Sequence, residues 1–467
     1  MNNTSRAVLS FSIMAALLIA VGIGQSWSVA MVIINLCLIS SVMALGVNIQ
    51  WGYAGLFNVG TMGFAALGGV AAVLVSKEPI PEAWAVGGTG LLMAAIMTLA
   101  TIAAIIVTYR RTDQGPLRNL AIAIIIVVGF FLIRFFFDPA VAAIEAVNPA
   151  NAGYLGGLGL PVLFSWAVGG VFAAGAAWIV GKISLGLRSD YLAIATLGIA
   201  EIIIAIIKNE DWLTRGVKNV AGLPRPVPYE IDLQESDQFI GWVKWLNESA
   251  LAAVSEAERN TFLMEKVTEY SSLFVKLCYM GLFATVLAII FTLSVRALNS
   301  PWGRMMRAIR DNEVSSSAMG KDITGRHLQV FIIGSAVVGI AGAMLTTMDG
   351  QLTPGTYQPL RYTFLIWVMV IVGGSGNNLG AVLGGFIIWF FWVEAEPVGI
   401  WLIDFATSWM DGENPVRLHL MNTAQHMRMF TMGLILLLVM RFNPGGVLPE
   451  TVNRAERPNI ELTTDRQ

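Results

Sequence analysis

Three arginines, Arg304, Arg307 and Arg310, recur at every third position of Asn299-Ser300-Pro301-Trp302-Gly303-Arg304-Met305-Met306-Arg307-Ala308-Ile309-Arg310-Asp311-Asn312-Glu313. On a helix that spacing gathers the guanidinium groups into one basic stripe, while Met306 and Ile309 fall away from it. Beyond Glu313 come Ser315, Ser316, Ala318 and Gly320, small residues that suit a tight helix contact. The segment 299–320 therefore reads as a docking element for another protein. An amphipathic helix resting on lipid phosphates accounts for the same pattern on physical grounds.

Bond-making chemistry is poorly provided for. Phosphate hydrolysis needs a Gly-rich loop ending in Gly-Lys-Ser/Thr, whose backbone N–H groups and Lys hold the phosphates. The nearest approach is Gly181-Lys182-Ile183-Ser184, with its hydroxyl one residue late, no glycine five residues before Gly181 and a membrane helix ahead of it. His327, His419 and His426 lie in connecting segments without a nucleophile or metal partner. Cys37 and Cys278 sit singly in apolar runs, which predicts packing rather than a disulfide or a zinc site. No cofactor is expected, and any energy must come from a partner. Glu201 is the clearest ionisable residue within a span, and it must face protein or water. It reads either as a bundle carboxylate or as part of a solute path. Arg134 has Asp138 at i+4 near a helix end, a structural pair with a snorkelling head.

The elements that must carry these residues are apolar. Of 467 residues 56% are hydrophobic and 13% charged, against roughly 25% charged in a soluble domain. A charged exterior cannot be built from that supply, whereas a lipid-facing one must be apolar. The formal net charge of -2 excludes nucleic acid as a partner, because neutralising phosphates takes an excess of Lys and Arg. Runs long enough to cross hydrocarbon lie near 7–24, 28–50, 55–75, 84–108, 119–137, 161–181, 191–207, 273–294 and 328–348. Three more, at 356–372, 380–393 and 429–441, read as short, tilted or re-entrant. The expected fold is all-α, a polytopic membrane bundle of about 10 to 12 spans, with a transmembrane domain over 1–449 and a tail over 450–467.

A cytoplasmic N-terminus places Arg110, Arg111 and Arg118 inside, with Lys182 and Arg188, as the positive-inside rule requires. The same parity puts 295–327 inside, where six basic residues meet three acids. The polar stretch 208–272, with seven basic and eleven acidic residues, falls outside and is expected to form a small helical cap. Arg6 followed by an apolar run resembles a signal peptide, but the run is long enough to span and is read as an uncleaved first helix.

Glycines recur in the spans as Gly60-x-x-Gly63, Ser335-x-x-x-Gly339 and Gly380-x-x-x-Gly384, spacings that let helices approach closely. Two glycine clusters also carry polar side chains and predict breaks: Gly52-Tyr53-Ala54-Gly55-Leu56-Phe57-Asn58-Val59-Gly60 and Val372-Gly373-Gly374-Ser375-Gly376-Asn377. A broken helix bares backbone groups that must be buried or line a cavity. Asn58, Gly60, Glu201, Gly373, Gly374 and Asn377 are thus candidates for a translocation path, with close packing as the alternative.

These motifs resemble branched-chain amino acid ABC transporter permeases of the LivM type. The 52–60 segment looks like that family's Gly-rich second motif. Leu187-Arg188-Ser189-Asp190-Tyr191-Leu192, followed by Glu201, is similar to its Leu-Arg-Gly-Asp-Tyr/Phe segment, and 300–320 to its cytoplasmic coupling loop. Arg441-Phe442-Asn443-Pro444-Gly445-Gly446 resembles its C-terminal signature. The resemblance implies an inner-membrane subunit without catalytic residues. It also implies a second permease, two cytoplasmic ATP-binding subunits, an extracytoplasmic solute-binding protein and surrounding lipid. It assigns Arg304, Arg307, Arg310, Glu313, Ala318 and Gly320 to the ATPase contact. Ser315 and Ser316 stand where alanines are usual, Ser189 replaces Gly, and the 208–272 insert is longer than expected. A urea or short-chain amide permease shares such motifs. A self-contained channel or ion-coupled carrier would call for several paired intramembrane charges.

Overall fold

The computed structural model describes residues 3–148, 153–411 and 414–450. The first seven helices are α1 (Asn3–Gly24), α2 (Trp27–Val47), α3 (Thr61–Ser76), α4 (Pro81–Arg111), α5 (Pro116–Ala146), α6 (Val162–Ser184) and α7 (Ser189–Asn209). A π-turn, Asn48–Gly52, extends α2. Short helices α8 (Asp211–Thr214), α9 (Glu230–Glu235), α10 (Asp237–Leu246) and α11 (Glu248–Ala253) lead to α12 (Arg259–Asn299). Next come α13 (Pro301–Asp311), α14 (Glu313–Ala318), α15 (Ile323–Asp349), α16 (Pro359–Gly373), α17 (Asn378–Ala406), α18 (Pro415–Thr423) and α19 (Met427–Phe442). Among the described residues ten helices are long and apolar enough to cross a membrane, and α3 and α16 are shorter apolar helices. The chain is a multi-pass, all-α membrane protein.

Three sequence boundaries need correction. The run at 55–75 is helical only from Thr61, giving 16 residues or about 24 Å, short of the roughly 30 Å hydrocarbon core. Conversely, the run at 380–393 belongs to a 29-residue helix that continues past Glu394 and Pro397. The expected cap at 208–272 ends early, because from Arg259 onward it is the start of the 41-residue α12. The cap also contains a strand, β1 (Val220–Ala221), paired antiparallel with β2 (Gln351–Leu352). Periodicity cannot reveal a two-residue ladder. The insert is held further by Lys77, whose ammonium donates to the carbonyls of Ala221 (3.2 Å) and Gly222 (2.9 Å).

Contacts divide the chain into two compact units. The first gathers the described parts of Met1–Leu56, Met280–Arg326 and Phe364–Gln467. Its core joins Met14, Leu18 and Val21 of α1 to Ile33 and Cys37 of α2 and Leu383 and Phe390 of α17. The Ser41 hydroxyl lies within reach of the carbonyls of Cys37 (2.7 Å) and Val382 (3.1 Å), so this polar group is satisfied where α2 meets α17.

The second unit comprises Phe57–Tyr279 and His327–Thr363. Its helices cross on glycine: a Cβ added to Gly68 would lie 1.9 Å from the Gly339 carbonyl oxygen, and one on Gly342 2.0 Å from that of Ala65. Phe64 and Phe331 meet edge to face at 5.7 Å, and the Trp166 indole donates to Thr347 Oγ1 at 3.0 Å. The α4–α5 pair is built differently. Both helices start on proline, and α4 ends on Arg110 and Arg111, which complement its dipole. They touch through Gly87 on Ile144, Gly90 on Ala140 and Gly129 on Thr101, and most of their other residues are exposed.

Candidate coupling site

Helix α13 forms where the basic stripe predicts it. Pro301 pre-sets its first turn, and Gly303, Met306 and Ile309, three apart, are its buried face. The three arginines do three different things. The Arg304 guanidinium donates to the Asn299 carbonyl (3.1 Å) and that of Arg307 to the Leu298 carbonyl (3.1 Å). Both acceptors belong to the last turn of α12, where carbonyls lack helical partners and the dipole favours a cation.

Arg310 reaches further. Its Nη1 donates to the carbonyl of Gly52, the last residue of the π-turn. It also grips Glu450 with both terminal nitrogens, at 3.0 Å and 3.3 Å. The Arg310 side chain is only 23% exposed. Burial opposes its charge, but the hydrogen bonds and charge of Glu450 hold the guanidinium above its ordinary pKa. Burial pushes the adjacent Tyr53 phenol up to about 12, Glu450 adding to the shift while Arg307 and Arg310 oppose it. The cluster therefore sets a fixed cation, Arg310, beside a phenol, Tyr53, that is neutral at neutral pH.

The same π-turn is tied to the break between α16 and α17. Buried Asn48 donates to Asn378 Oδ1 (3.1 Å) and accepts from the Gly376 N–H (2.9 Å). Asn377 caps α17 by accepting from the N–H groups of Leu379 (3.0 Å) and Gly380 (3.3 Å), and donates to the carbonyls of Leu448 and Pro449. Gly374 sits at φ +119°, and a Cβ there would lie 2.1 Å from the Leu448 carbonyl oxygen. Gly373 packs on Gly380, where an added Cβ would lie 1.9 Å from the carbonyl oxygen. Gly373, Gly374 and Asn377 thus make a close backbone junction that α13 reaches through Arg310.

The rest of the loop is open. Arg304, Glu313, Ala318 and Gly320 are exposed, as are the apolar Val314 (81%) and Met319 (80%). Asn312 starts α14 by accepting from the Ser315 N–H at 2.9 Å. Of the six residues assigned to the ATPase contact, Arg307 and Arg310 are half-buried within the chain. The other four, with Val314 and Met319, form an accessible face.

The remaining path candidates lie in the second unit. Buried Asn58 accepts from the Gly60 N–H (2.9 Å), and Thr196 of α7 accepts from the Val59 N–H (3.1 Å). A Cβ on Gly60 would fall 2.3 Å from the Thr196 carbonyl oxygen. Leu192, Thr196, Ala200, Ile204 and Ile207 form the buried stripe of α7, and Glu201 lies one residue off it, exposed.

Two acidic residues escaped the sequence pattern. Glu394 is buried within α17 and accepts from the Gln25 amide at 2.7 Å. The helical continuation Glu394-Ala395-Glu396 after the apolar run was its available signal. Glu450, assigned to the tail, gave none, since its importance comes only from Arg310. The rest of the expected tail, 451–467, lies outside the described residues. Among the described residues no cluster of His, Cys, Asp or Glu could hold a metal ion.

Residues 118–440 match the family model described as "Branched-chain amino acid transport system / permease component". Over 295 residues the chain is 24% identical to the "High-affinity branched-chain amino acid transport system permease protein LivM" of Escherichia coli (strain K12), covering 63% of this chain and 58% of that one. Its Salmonella typhimurium counterpart is 25% identical over 293 residues, 63% and 57% of the two chains. The "Probable branched-chain amino acid transport permease protein LivM" of Methanocaldococcus jannaschii is 26% identical over 279 residues, 60% and 65%. The match therefore spans 57 to 65% of the length of these curated relatives. No solved structure matches. With a family model covering well over half of its length, this chain belongs to the branched-chain amino acid transport permease family.

Proposed function

We propose that the chain is the membrane-spanning permease subunit of an ATP-driven importer that carries branched-chain amino acids inward. It works in a bacterial-type inner membrane with a second permease, two cytoplasmic ATPases and an extracytoplasmic solute-binding protein. Family membership and the names of the relatives support the solute class. The single observation that carries the coupling role is Arg310. Its helix presents an exposed partner face, while its own guanidinium is bound to the end of the α2 π-turn.

The mechanism follows from that connection. Two packed arrangements of the spans expose the solute path to one side or the other, and a ligand shifts them only by its differential affinity. ATP binding and hydrolysis in the partners move α13 and α14 through Arg304, Glu313, Val314 and Met319. Arg310 passes the displacement to Gly52, and Asn48 passes it from the π-turn to the Gly376 turn. Close backbone packing at Gly373 and Gly374 resists gradual deformation, which favours switching between discrete arrangements.

The test is co-purification from detergent followed by transport in proteoliposomes. Glu313→Arg and Gly320→Trp should each reduce ATPase recovery and amino acid uptake together, with membrane insertion unchanged. Wild-type uptake in both variants would remove the coupling role. Retention of urea or a short amide, rather than leucine, by the cognate binding protein would move the solute assignment.

A further inference from the structure

We infer that the cleft between α4 and α5 is a binding site for phosphatidylethanolamine, with Arg134 receiving the phosphate and Asp138 the primary ammonium. This goes beyond the transport reading and does not depend on it. The cleft has a volume of about 1100 Å³ and is lined by Trp84, Leu92, Phe130, Arg134, Asp138 and Trp212, among others. It lies wholly within the second unit.

Three observations select the occupant. The first is shape. The wall contributed by α4 runs from Trp84 through Gly88, Leu91 and Ala95 to Thr98, one helical face of 15 residues. At 1.5 Å per residue that is about 21 Å along the helix; Gly90 packs on Phe136 and Ala140, so the ion pair lies partway along this wall, with Ala95, Thr98, Phe130 and Ile133 lining its hydrocarbon side for the first part of an acyl chain. Leu92 is 62% exposed and Phe130 53%. This apolar surface is left uncovered by the protein.

The second is depth. The apolar run on α5 ends at Phe137, so Asp138 sits at the edge of the hydrocarbon and Arg134 one turn inside it. Trp84 and Trp212 flank the same end, as indoles do at the interface of bilayer and water. Their ring N–H groups are already engaged, Trp84 with the Leu155 carbonyl at 3.1 Å and Trp212 with Glu210 at 2.6 Å. Both rings are thus fixed walls.

The third is charge. Arg134 and Asp138 form an ion pair at 2.7 Å whose side chains are 57% and 46% exposed, so each keeps hydrogen-bonding capacity facing the cleft. A cation beside an anion is the complement of a headgroup that carries a phosphate two carbons from a primary ammonium. Guanidinium binds phosphate oxygens through paired N–H donors, and a carboxylate accepts from an ammonium N–H. Phosphatidylglycerol offers Asp138 no cation. Phosphatidylcholine offers a quaternary ammonium without an N–H.

Native mass spectrometry of the purified full chain, titrated with the three phospholipids carrying identical acyl chains, tests the assignment. The wild type should retain phosphatidylethanolamine at least tenfold better than the other two. Asp138→Asn should lower its retention about tenfold and leave phosphatidylglycerol unchanged, whereas Arg134→Gln should lower both, and Arg134→Lys should restore part of the loss. Equal retention of the three lipids by the wild type, or a doubled mass with no bound lipid because a second copy fills the cleft, would overturn the proposal. The wild-type comparison decides the matter even if a variant fails to fold.

Discussion

Helices α2 and α4 have nearly the same apolar content and opposite surroundings. In the most apolar window of Trp27–Gly52, 72% of residues are buried inside the protein, against 6% for Pro81–Arg111 and 6% for Pro116–Ala146. Their mean hydropathies are 2.3, 2.5 and 2.8. Hydropathy measures escape from water and is silent about which apolar medium receives the side chain. The distinction lies in the polar minority. Helix α2 carries Asn35, Ser40 and Ser41, all buried, and its π-turn adds Asn48 and Gln50. Such groups are costly in lipid and must find partners in protein. Helix α4 carries only threonines in its apolar stretch, and Thr98 and Thr101 bond back to their own helix at 2.8 Å and 2.7 Å. The helix with the polar residues is therefore enclosed by the protein, and the self-satisfied ones are left largely uncovered by it.

This contrast can be broken or sharpened by substitution. The largest effect should come from Gly374→Ala, which combines a forbidden φ with a 2.1 Å approach to the Leu448 carbonyl oxygen. A loss of about 3 kcal/mol or more is expected in thermal unfolding in detergent. By comparison, Gly198→Ala in α7, where nothing lies within 4 Å of the added Cβ, should be neutral or stabilise by under about 1 kcal/mol. If both glycines tolerated alanine alike, the tight junction would not be what holds this region.

Next in size is Asn48→Ala, which removes two buried hydrogen bonds and strands the Gly376 N–H. A destabilisation of roughly 2–3 kcal/mol is expected, whereas Thr89→Ala at an exposed position of α4 should cost under about 0.5 kcal/mol.

Arg310→Gln separates stability from coupling. It loses the ion pair with Glu450 and, being shorter, the bond to the Gly52 carbonyl. Uptake is expected to fall about tenfold, equivalent to about 1.4 kcal/mol, with ATPase recovery near that of the wild type. Loss of ATPase recovery instead would put Arg310 on the partner face. The smallest effect should come from Arg304→Gln, since Arg304 is exposed and its partner is one carbonyl. Its signature is a weaker salt dependence of ATPase association, read by co-purification across an ionic-strength series.

Much of this architecture was legible in the residues themselves. The arginine stripe at 304, 307 and 310, with Met306 and Ile309 falling away from it, located α13 and two residues of its buried face. The pair Arg134 and Asp138, and the close-packing glycines at 339, 380 and 384, are where their spacing placed them. Other features were illegible for identifiable reasons. Arg310 looked equivalent to Arg304 and Arg307, because periodicity orders residues on one helix and carries no information about Gly52 or Glu450, 258 and 140 residues away. Glu394 lay just past an apolar run, and nothing local indicates that Gln25 would meet it.

Sequence alone determined the solvent, the class of fold and the positions of nearly all the spans, since each follows from composition and from periodicity within one segment. Tertiary structure alone decided which apolar helices are buried, which arginine joins the loop to the broken helices and which carboxylates are enclosed. Those outcomes depend on pairings between distant segments, and a pairing has no energy until both partners are brought together.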